Sequence, residues 1–253
     1  MVRPVASALR ALLSHLIDYA GLFPPACLPL EAAVSCYQRY SAGPHSWMLG
    51  KFVIPAAQMG SLEHRAEWPL SVLSDADHPQ AGTIEAKTII ATPKPTYCEV
   101  PVDRLADLQA IGSFAKLRSG GVTPDSIPTV ETVARYILAC ARLRLPFKAT
   151  AGLHHPFRSV RPLTYQRDAP RALMHGFINV FLAAAFAWYG VEDIEPIVGE
   201  QDRDAFRFDD GAHWRGRSLT ADQVHAARTQ FAHSFGSCSF EEPVQDLQAL
   251  GWL

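Results

Sequence analysis

The sequence predicts an α/β fold, a (β/α)8 barrel of the TIM type, regular or irregular. Short β-like segments alternate with helical segments along the chain, which is typical of parallel sheets covered by helices. The length of 253 residues is close to that of an eight-fold barrel. No glycine-rich G-x-G-x-x-G turn follows an early β segment, which argues against a doubly wound open sheet, the main alternative fold.

The first half of the chain supplies four candidate strands and one short helix. Residues 48–54 (MLGKFVI) are mostly apolar and stop at Pro55, as expected of a buried strand. Asp103 has the character of a helix N-cap. The other predicted elements here are strands at 70–73, 84–90 and 97–100 and a helix over 103–111.

The centre of the chain predicts a βαβ unit. Residues 113–118 form a candidate strand that ends at a Ser-Gly-Gly turn, and residues 147–153 form the next one. Between them, Thr129 is a helix N-cap and apolar residues recur with helical spacing until Pro146 ends the helix. Such a unit implies two neighbouring parallel strands joined by a right-handed crossover.

The last third of the chain is less regular. An acidic, irregular segment over residues 192–204 interrupts the alternation of strands and helices. Counting all candidates gives seven or eight strands. The predicted elements are helices at 173–189 and 220–232, strands at 205–208 and 235–240, and a C-terminal helix that starts at Glu241.

Composition favours one domain spanning residues 1–253, with 48% hydrophobic residues and no linker-like segment. The formal net charge of −2 is spread along the chain, whereas nucleic-acid binding favours a basic face. The apolar run at 177–189 is too short to span a membrane. Five widely spaced cysteines without a C-x-x-C pair indicate free thiols in a cytoplasmic protein. We expect a small-molecule partner, with homo-oligomer formation left open.

The segment A-K-L-R-S-G-G supplies the first candidate site residues, since the carboxyl ends of barrel strands carry the active site. Lys116 and Arg118 share one strand face because side chains alternate along a strand. At the top of the barrel they would bind a carboxylate or phosphate, with Arg118 making a bidentate contact. Gly120 and Gly121 would let the backbone approach a ligand closely. The alternative is a pair of solvated strand-end charges.

The segment F-K-A-T-A-G-L-H-H-P supplies the second set. Lys148 and Thr150 share a strand face, and Lys148 is flanked by apolar residues. We expect desolvation and neighbouring cations to lower the pKa of Lys148, which would make its amine available as nucleophile or base. The alternative is a lysine paired with a carboxylate in the core. His154 and His155 follow the strand, and we expect at least one of them to transfer protons.

Four further candidates come from other parts of the chain. Lys51 lies in the middle of a predicted strand that has one face toward the barrel interior. Asp18 lies in L-I-D-Y-A-G-L-F-P-P, an apolar, proline-bounded segment that we expect to be a loop or a lid. Ser237 and Ser239 precede a helix N-terminus, where hydroxyls and free N–H groups would bind an anion.

Two resemblances bear on this chain. The pattern K-x-T-x-G-L at Lys148 resembles the lysine strand of class I aldolases, particularly the deoxyribose-phosphate aldolase group, and K-L-R-S-G-G at Lys116 resembles another strand of that group, in reversed chain order. The segments I-D-Y-A-G-L-F-P-P, F-K-A-T-A-G-L-H-H-P and G-S-C-S-F-E-E-P are similar to a functionally uncharacterised family of bacterial proteins. The first resemblance implies lysine-dependent lyase chemistry, and the second implies no activity.

Three functions are compatible with these residues. The first is an enzyme without a cofactor that acts on a small anionic carbonyl or carboxylate metabolite, as an aldolase-like lyase or an enolate-type isomerase. Lys148 would be its nucleophile or base, and Lys116 and Arg118 would bind the anion. The second is a non-catalytic barrel that binds a small molecule. The third is a hydrolase or lyase that depends on a divalent metal ion, with ligands His154, His155, Glu99 and Asp75.

Overall fold

A computed structural model describes residues 4–62 and 68–253. It contains a closed barrel of eight parallel strands, which confirms the predicted fold class. The strands are β1 (Ile17–Tyr19), β2 (Leu49–Pro55), β3 (Leu70–Leu73), β4 (Thr83–Ala86), β5 (Thr96–Cys98), β6 (Phe114–Arg118), β7 (Phe147–Thr150), β8 (Ser159–Pro162), β9 (Arg171–Met174), β10 (Phe206–Phe208), β11 (Gly211–Trp214), β12 (Arg217–Thr220) and β13 (Ala232–Ser237). The barrel runs from β1 through β7 in chain order, and β13 closes it against β1.

The helices are distributed unevenly around this barrel. They are α1 (Ser7–Leu13), α2 (Leu30–Ser41), α3 (Leu105–Ala110), α4 (Val130–Arg142), α5 (Phe177–Trp188), α6 (Glu195–Gly199), α7 (Ala221–Gln230) and α8 (Glu241–Ala249). The connections from β3 to β4 and from β4 to β5, all of whose residues are described, contain no helix. The barrel is therefore of the irregular kind.

The predicted βαβ unit is confirmed. Strands β6 and β7 are parallel neighbours, with Lys116 opposite Lys148 and Arg118 opposite Thr150. Helix α4 joins them, and its N-cap is Thr129, whose hydroxyl accepts a hydrogen bond from the Thr132 amide at 3.1 Å. The side chains of Lys116 and Lys148 therefore point from adjacent strands to the same side of the sheet.

Several element boundaries differ from the sequence prediction. The segment around Asp18 is the short barrel strand β1, paired with both β2 and β13, rather than a loop or a lid. Strand β7 stops at Thr150 because Ala151 and Gly152 have φ angles of 61° and 79°, outside the β region. The predicted strand at 205–208 lies outside the barrel, in an antiparallel sheet of β10, β11 and β12.

A long insertion lies between the last two barrel strands. It contains the antiparallel hairpin β8–β9, helices α5 to α7 and the three-stranded sheet. The apolar helix α5 packs on the barrel, where Phe177 stacks on Phe235 and Phe181 on Phe147. The sequence predicted a helix over 173–189, and the observed helix, Phe177–Trp188, is almost entirely buried. None of the helices in the described part of the chain is both long enough and apolar enough to cross a membrane.

Candidate active site at the mouth of the barrel

A cavity of about 360 Å³ opens at the carboxyl ends of the barrel strands, where barrel enzymes carry their active sites. We call it the mouth cavity. Apolar residues of strands β2 and β3 and of the hairpin β8–β9 region form part of its wall, among them Val53, Leu73 and Leu163. Its polar and charged lining consists of Glu85, Lys87, Glu99, Lys116, Arg118, Thr150, His154 and Cys238.

Below the mouth cavity, the interior of the barrel holds a buried ionic cluster. The Lys148 ammonium donates hydrogen bonds to Asp18 Oδ2 at 2.6 Å and to Glu85 Oε1 at 2.5 Å. Ser234 and Ser71 donate to the same two carboxylate oxygens, each at 2.7 Å. All three charged side chains are at most 3% exposed. Such pairing is what allows charges to be buried in the core.

The predicted pKa shift of Lys148 is wrong in direction. Burial does act to lower the pKa of this amine, but the attraction of Asp18 and Glu85 outweighs it and raises the pKa. Burial likewise acts to raise the pKa of the Glu85 carboxyl, whereas Lys148 and Lys116 lower it to about 2. Lys148 does not line the mouth cavity. The geometry fits the alternative interpretation, a lysine paired with carboxylates in the core.

Lys116 differs from Lys148 although it lies opposite it on the next strand. Its ammonium is 3.4 Å from Glu85 Oε2 and 3.5 Å from Glu99 Oε2. Both distances exceed the usual range of N–H···O hydrogen bonds. The side chain is 4% exposed and lines the mouth cavity. Lys116 therefore presents a nearly buried cation whose N–H donors are still available to a ligand.

Two more cations line the mouth cavity closer to solvent. Arg118 is half exposed and makes a bidentate contact with Glu99, at 2.6 Å from Nε and 3.1 Å from Nη2. The bidentate site that we predicted for a substrate anion is therefore taken by Glu99 in this structure. Lys87 is an exposed residue two positions after Glu85 in the chain, and sequence reasoning missed both.

The two adjacent histidines have different environments. His154 lines the mouth cavity, and its Nδ1 is 2.9 Å from Glu242 Oε2. Its Nε2 has no hydrogen-bond partner among residues 4–62 and 68–253. His155 does not line this cavity, and its Nδ1 is 2.6 Å from Asp246 Oδ2. Burial lowers the pKa of His155. Of the two, His154 has the position of an acid–base group.

Of the predicted glycine and threonine contacts, Thr150 and Gly121 line the mouth cavity and Gly120 does not. Gly121 is also closely packed, because a Cβ at this position would lie 2.5 Å from the Ser126 Oγ. Gly120 allows two loops to approach, because a Cβ at this position would lie 2.9 Å from the Cα of Gly152. The requirement for glycine at 120 therefore comes from packing.

Besides Gly120, four predicted binding residues lie outside the mouth cavity: Asp18, which belongs to the buried cluster, Lys51, Ser237 and Ser239. The Lys51 backbone amide donates a hydrogen bond to Asp18 Oδ1 at 2.8 Å, so this residue contributes to the buried cluster through its backbone. The Ser237 hydroxyl donates to the Ser239 carbonyl, and the Ser239 hydroxyl accepts from the Glu242 amide at 3.1 Å. The two serines thus shape the start of α8 and do not form the anion site that we predicted.

The predicted metal ligands do not converge. Asp75 accepts hydrogen bonds from the amides of Lys87 and Thr88, and Glu99 pairs with Arg118. His154 and His155 each face a separate carboxylate. In the part of the chain that the structure describes, no group of three or more His, Cys, Asp or Glu side chains is arranged to hold a metal ion.

The sequence analysis also missed Glu85, one of the two carboxylates paired with Lys148, and Ser234, which donates a hydrogen bond to the other, Asp18. Glu85 is a single acid within the apolar segment predicted as a strand at 84–90, and Ser234 lies just before the predicted last strand. The signal that drew attention to Lys148, a charge on an otherwise apolar strand, was equally present at Glu85.

Comparison with known proteins leaves the site to be interpreted from its own geometry. No protein-family model matches this chain, and neither a curated protein nor a solved structure matches it. The resemblances to aldolases and to a bacterial family therefore stay predictions.

Proposed function

We propose that this protein is an enzyme acting on a small anion that bears a carbonyl or carboxylate group, as a lyase or as an enolate-type isomerase. The observation that carries the proposal is Lys116, a nearly buried ammonium at the mouth cavity with ion-pair distances of 3.4 and 3.5 Å. A fixed cation in a site of low dielectric strongly stabilises negative charge that develops during a reaction.

In this mechanism Lys116 donates a hydrogen bond to the carbonyl oxygen of the substrate. When a C–H or C–C bond next to that carbonyl breaks, its electron pair moves onto the oxygen and gives an enolate beside the ammonium. His154, held through Nδ1 by Glu242, takes or returns the proton at Nε2. Arg118 and Lys87 attract the carboxylate or phosphate of the substrate to the mouth.

An imine route uses the same amine after loss of a proton. The Lys116 nitrogen adds to the carbonyl carbon, water leaves, and the protonated imine then accepts the electron pair in place of the carbonyl. The aldolase resemblance implied this role for Lys148, but the access of Lys116 to the mouth cavity makes it the better candidate. Reduction with borohydride in the presence of substrate would leave a stable adduct on Lys116 only in the imine route.

The test is exchange of carbon-bound protons in D2O. Pyruvate, 2-oxobutyrate and 2-oxoglutarate would be incubated with the protein, and deuterium at C3 followed by NMR. We expect the protein to accelerate the exchange in at least one of these compounds, relative to the compound alone. Lys116→Met should lower the accelerated rate by about 100- to 1000-fold, which is the effect of removing one preorganised charge-stabilising donor. Lys94→Met is the control, since Lys94 pairs with Asp77 and does not line the mouth cavity. Equal loss in both variants, or none in Lys116→Met, would remove Lys116 from the mechanism.

A non-catalytic binding barrel is the second candidate, favoured by the tight pairing of Lys148 with two carboxylates. Such a protein would bind one of the test anions saturably without exchanging its protons. Isothermal titration with the same three compounds distinguishes the two functions.

A further inference from the structure

The charges that line the mouth cavity are confined to one side of the barrel. Its lysine, arginine and glutamate residues belong to or closely follow three neighbouring strands, β4, β5 and β6: Glu85, Lys87, Glu99, Lys116 and Arg118. In a closed barrel of eight strands, the strand four places away lies on the opposite side. Counted in either direction around the sheet, that strand is β2 for Lys116 on β6. The side of the cavity that faces Lys116 is therefore built by β2 and its neighbours, β1 and β3.

This opposite side is apolar. The paired strands β2 and β3 contribute lining residues to it, and so do the segment after β1 and the hairpin β8–β9 region. The last two segments meet, since a smaller recess of about 140 Å³ is lined by residues of both. We give the name apolar wall to six of the lining residues: Phe23, Pro25, Val53, Leu73, Leu163 and Met174.

The apolar wall offers accessible carbon surface to a ligand. Phe23, Pro25 and Leu73 are partly exposed, and the other three members are at most 4% exposed. An apolar group that packs on such a surface gains about fourfold in affinity for each methylene that it removes from water. A carboxylate in the same place would lose hydration without gaining a partner, because the cations Lys116 and Arg118 belong to the other side. The wall therefore favours an apolar group over a charged one.

We propose that the substrate has an apolar tail, which packs against the apolar wall while the carbonyl group contacts Lys116. The ligand class is a 2-oxo acid with a short aliphatic side chain, whose single carboxylate lies toward Arg118 and Lys87. The inference rests on the proposed function and narrows it, because compounds with a second charge at the far end are excluded. The tail is short because the cavity volume of about 360 Å³ is near the lower limit for small-molecule pockets.

The experiment compares two ligands that differ only at the far end. In 5-methyl-2-oxohexanoate, two methyl groups replace the two oxygens of the second carboxylate of 2-oxoglutarate. Each compound is titrated into the protein by isothermal calorimetry, with pyruvate as the reference that lacks a tail. Leu73→Asn makes one partly exposed member of the apolar wall polar at nearly the same shape, and Met174→Gln does so at a second position. Val160→Gln is the matched control, since Val160 is an apolar residue of β8 that is 53% exposed and does not line the mouth cavity.

We expect the wild type and Val160→Gln to bind 5-methyl-2-oxohexanoate about tenfold or more tightly than pyruvate or 2-oxoglutarate. Leu73→Asn and Met174→Gln should each reduce this preference by about threefold or more. The proposal would be overturned by equal or tighter binding of 2-oxoglutarate, by no saturable binding of any of the three compounds, or by a preference unchanged in both wall variants. Calorimetry requires no proton exchange, so binding with the expected preference but without exchange would contradict the proposed reaction alone.

Discussion

Lys116 and Lys148 are opposite each other on adjacent strands, yet their surroundings give them different chemical properties. Lys148 contacts Asp18 and Glu85 at 2.6 and 2.5 Å, so its proton is held by two carboxylates. Lys116 has only longer ion pairs and is next to the mouth cavity. The tight pairing makes Lys148 a stabilising residue, and the loose pairing leaves Lys116 available for chemistry.

The structural role of Lys148 predicts a large stability change on substitution. Lys148→Met leaves Asp18 and Glu85 buried without their shared cation, and breaking a buried pair in this way costs about 3–5 kcal/mol in the free energy of unfolding. Urea denaturation at pH 7 measures it. Lys94→Met, which removes a partly exposed pair, should change stability much less. A Lys148→Met variant as stable as the wild type would show that the cluster does not hold the barrel together.

The sequence could place these side chains on a common face but could not choose their partners. Two-residue periodicity put Lys116, Arg118, Lys148 and Thr150 on one side of their strands, and the structure agrees. The partners of Lys148 are 130 and 63 residues away in the chain, and only closure of the barrel brings them together. The direction of a pKa shift depends on such partners. The local sequence around Lys148 therefore could not show whether its pKa is raised or lowered.

At the scale of elements, helix α8 positions the two adjacent histidines, and the hairpin β8–β9 region contributes Leu163 and Met174 to the mouth cavity. Glu242 in the first turn of α8 contacts His154 Nδ1, and the Tyr165 hydroxyl donates to the same carboxylate oxygen at 3.2 Å. One turn later, Asp246 contacts His155. The two acids lie on one face of the helix, and each fixes one of two adjacent histidines.

This pairing predicts different effects for two similar substitutions. Glu242→Gln should lower the proton-exchange rate by about 10- to 100-fold, because the carboxylate orients the imidazole of His154 through Nδ1. Asp246→Asn should leave the rate unchanged, since His155 does not line the mouth cavity. Rates measured between pH 5 and 9 compare them. If Asp246→Asn lowered the rate as much as Glu242→Gln does, the choice of His154 over His155 as the acid–base group would be contradicted.

Elements were predictable where their patterns were long and local. Helix α4 has a threonine N-cap and a clear apolar stripe, and it forms close to where the sequence placed it. Strand β1 has three residues and offers no period to recognise. The hairpin β8–β9 was hidden within a segment that the sequence assigned partly to the following helix, whose observed start is Phe177.

At the scale of the whole molecule, the barrel encloses charges where branched apolar side chains usually fill the interior. The cluster of Asp18, Glu85 and Lys148 links strands β1, β4 and β7, which are not neighbours in the barrel. Its ion pairs therefore connect opposite parts of the sheet. Stability of the fold then depends on the protonation states of these three groups.

Stability should accordingly fall at both ends of the pH scale. The folded-state pKa of Asp18 is lowered and that of Glu85 is about 2, so their contribution is complete above about pH 5 and is lost as the pH falls toward 2. The pKa of Lys148 is raised, so its contribution is complete below the ordinary lysine value and is lost as pH rises above it. Urea denaturation from pH 2.5 to 11 follows both. Glu85→Gln should show a shallower acid decline, and an unchanged slope would contradict this account.

Chemical rescue would show whether the positive charge of Lys116 stabilises the reacting substrate. Lys116→Ala removes the ammonium and leaves space beside the mouth cavity, so added methylammonium can occupy the position of the missing charge. The measurement is the rate of deuterium incorporation into the responsive 2-oxo acid, with and without methylammonium, in Lys116→Ala and in Lys148→Ala. We expect the rate to be lowered by about 100-fold or more in Lys116→Ala and to be partly restored by methylammonium, with no such rescue in Lys148→Ala. A Lys116→Ala variant that exchanges protons at the wild-type rate without methylammonium would contradict it.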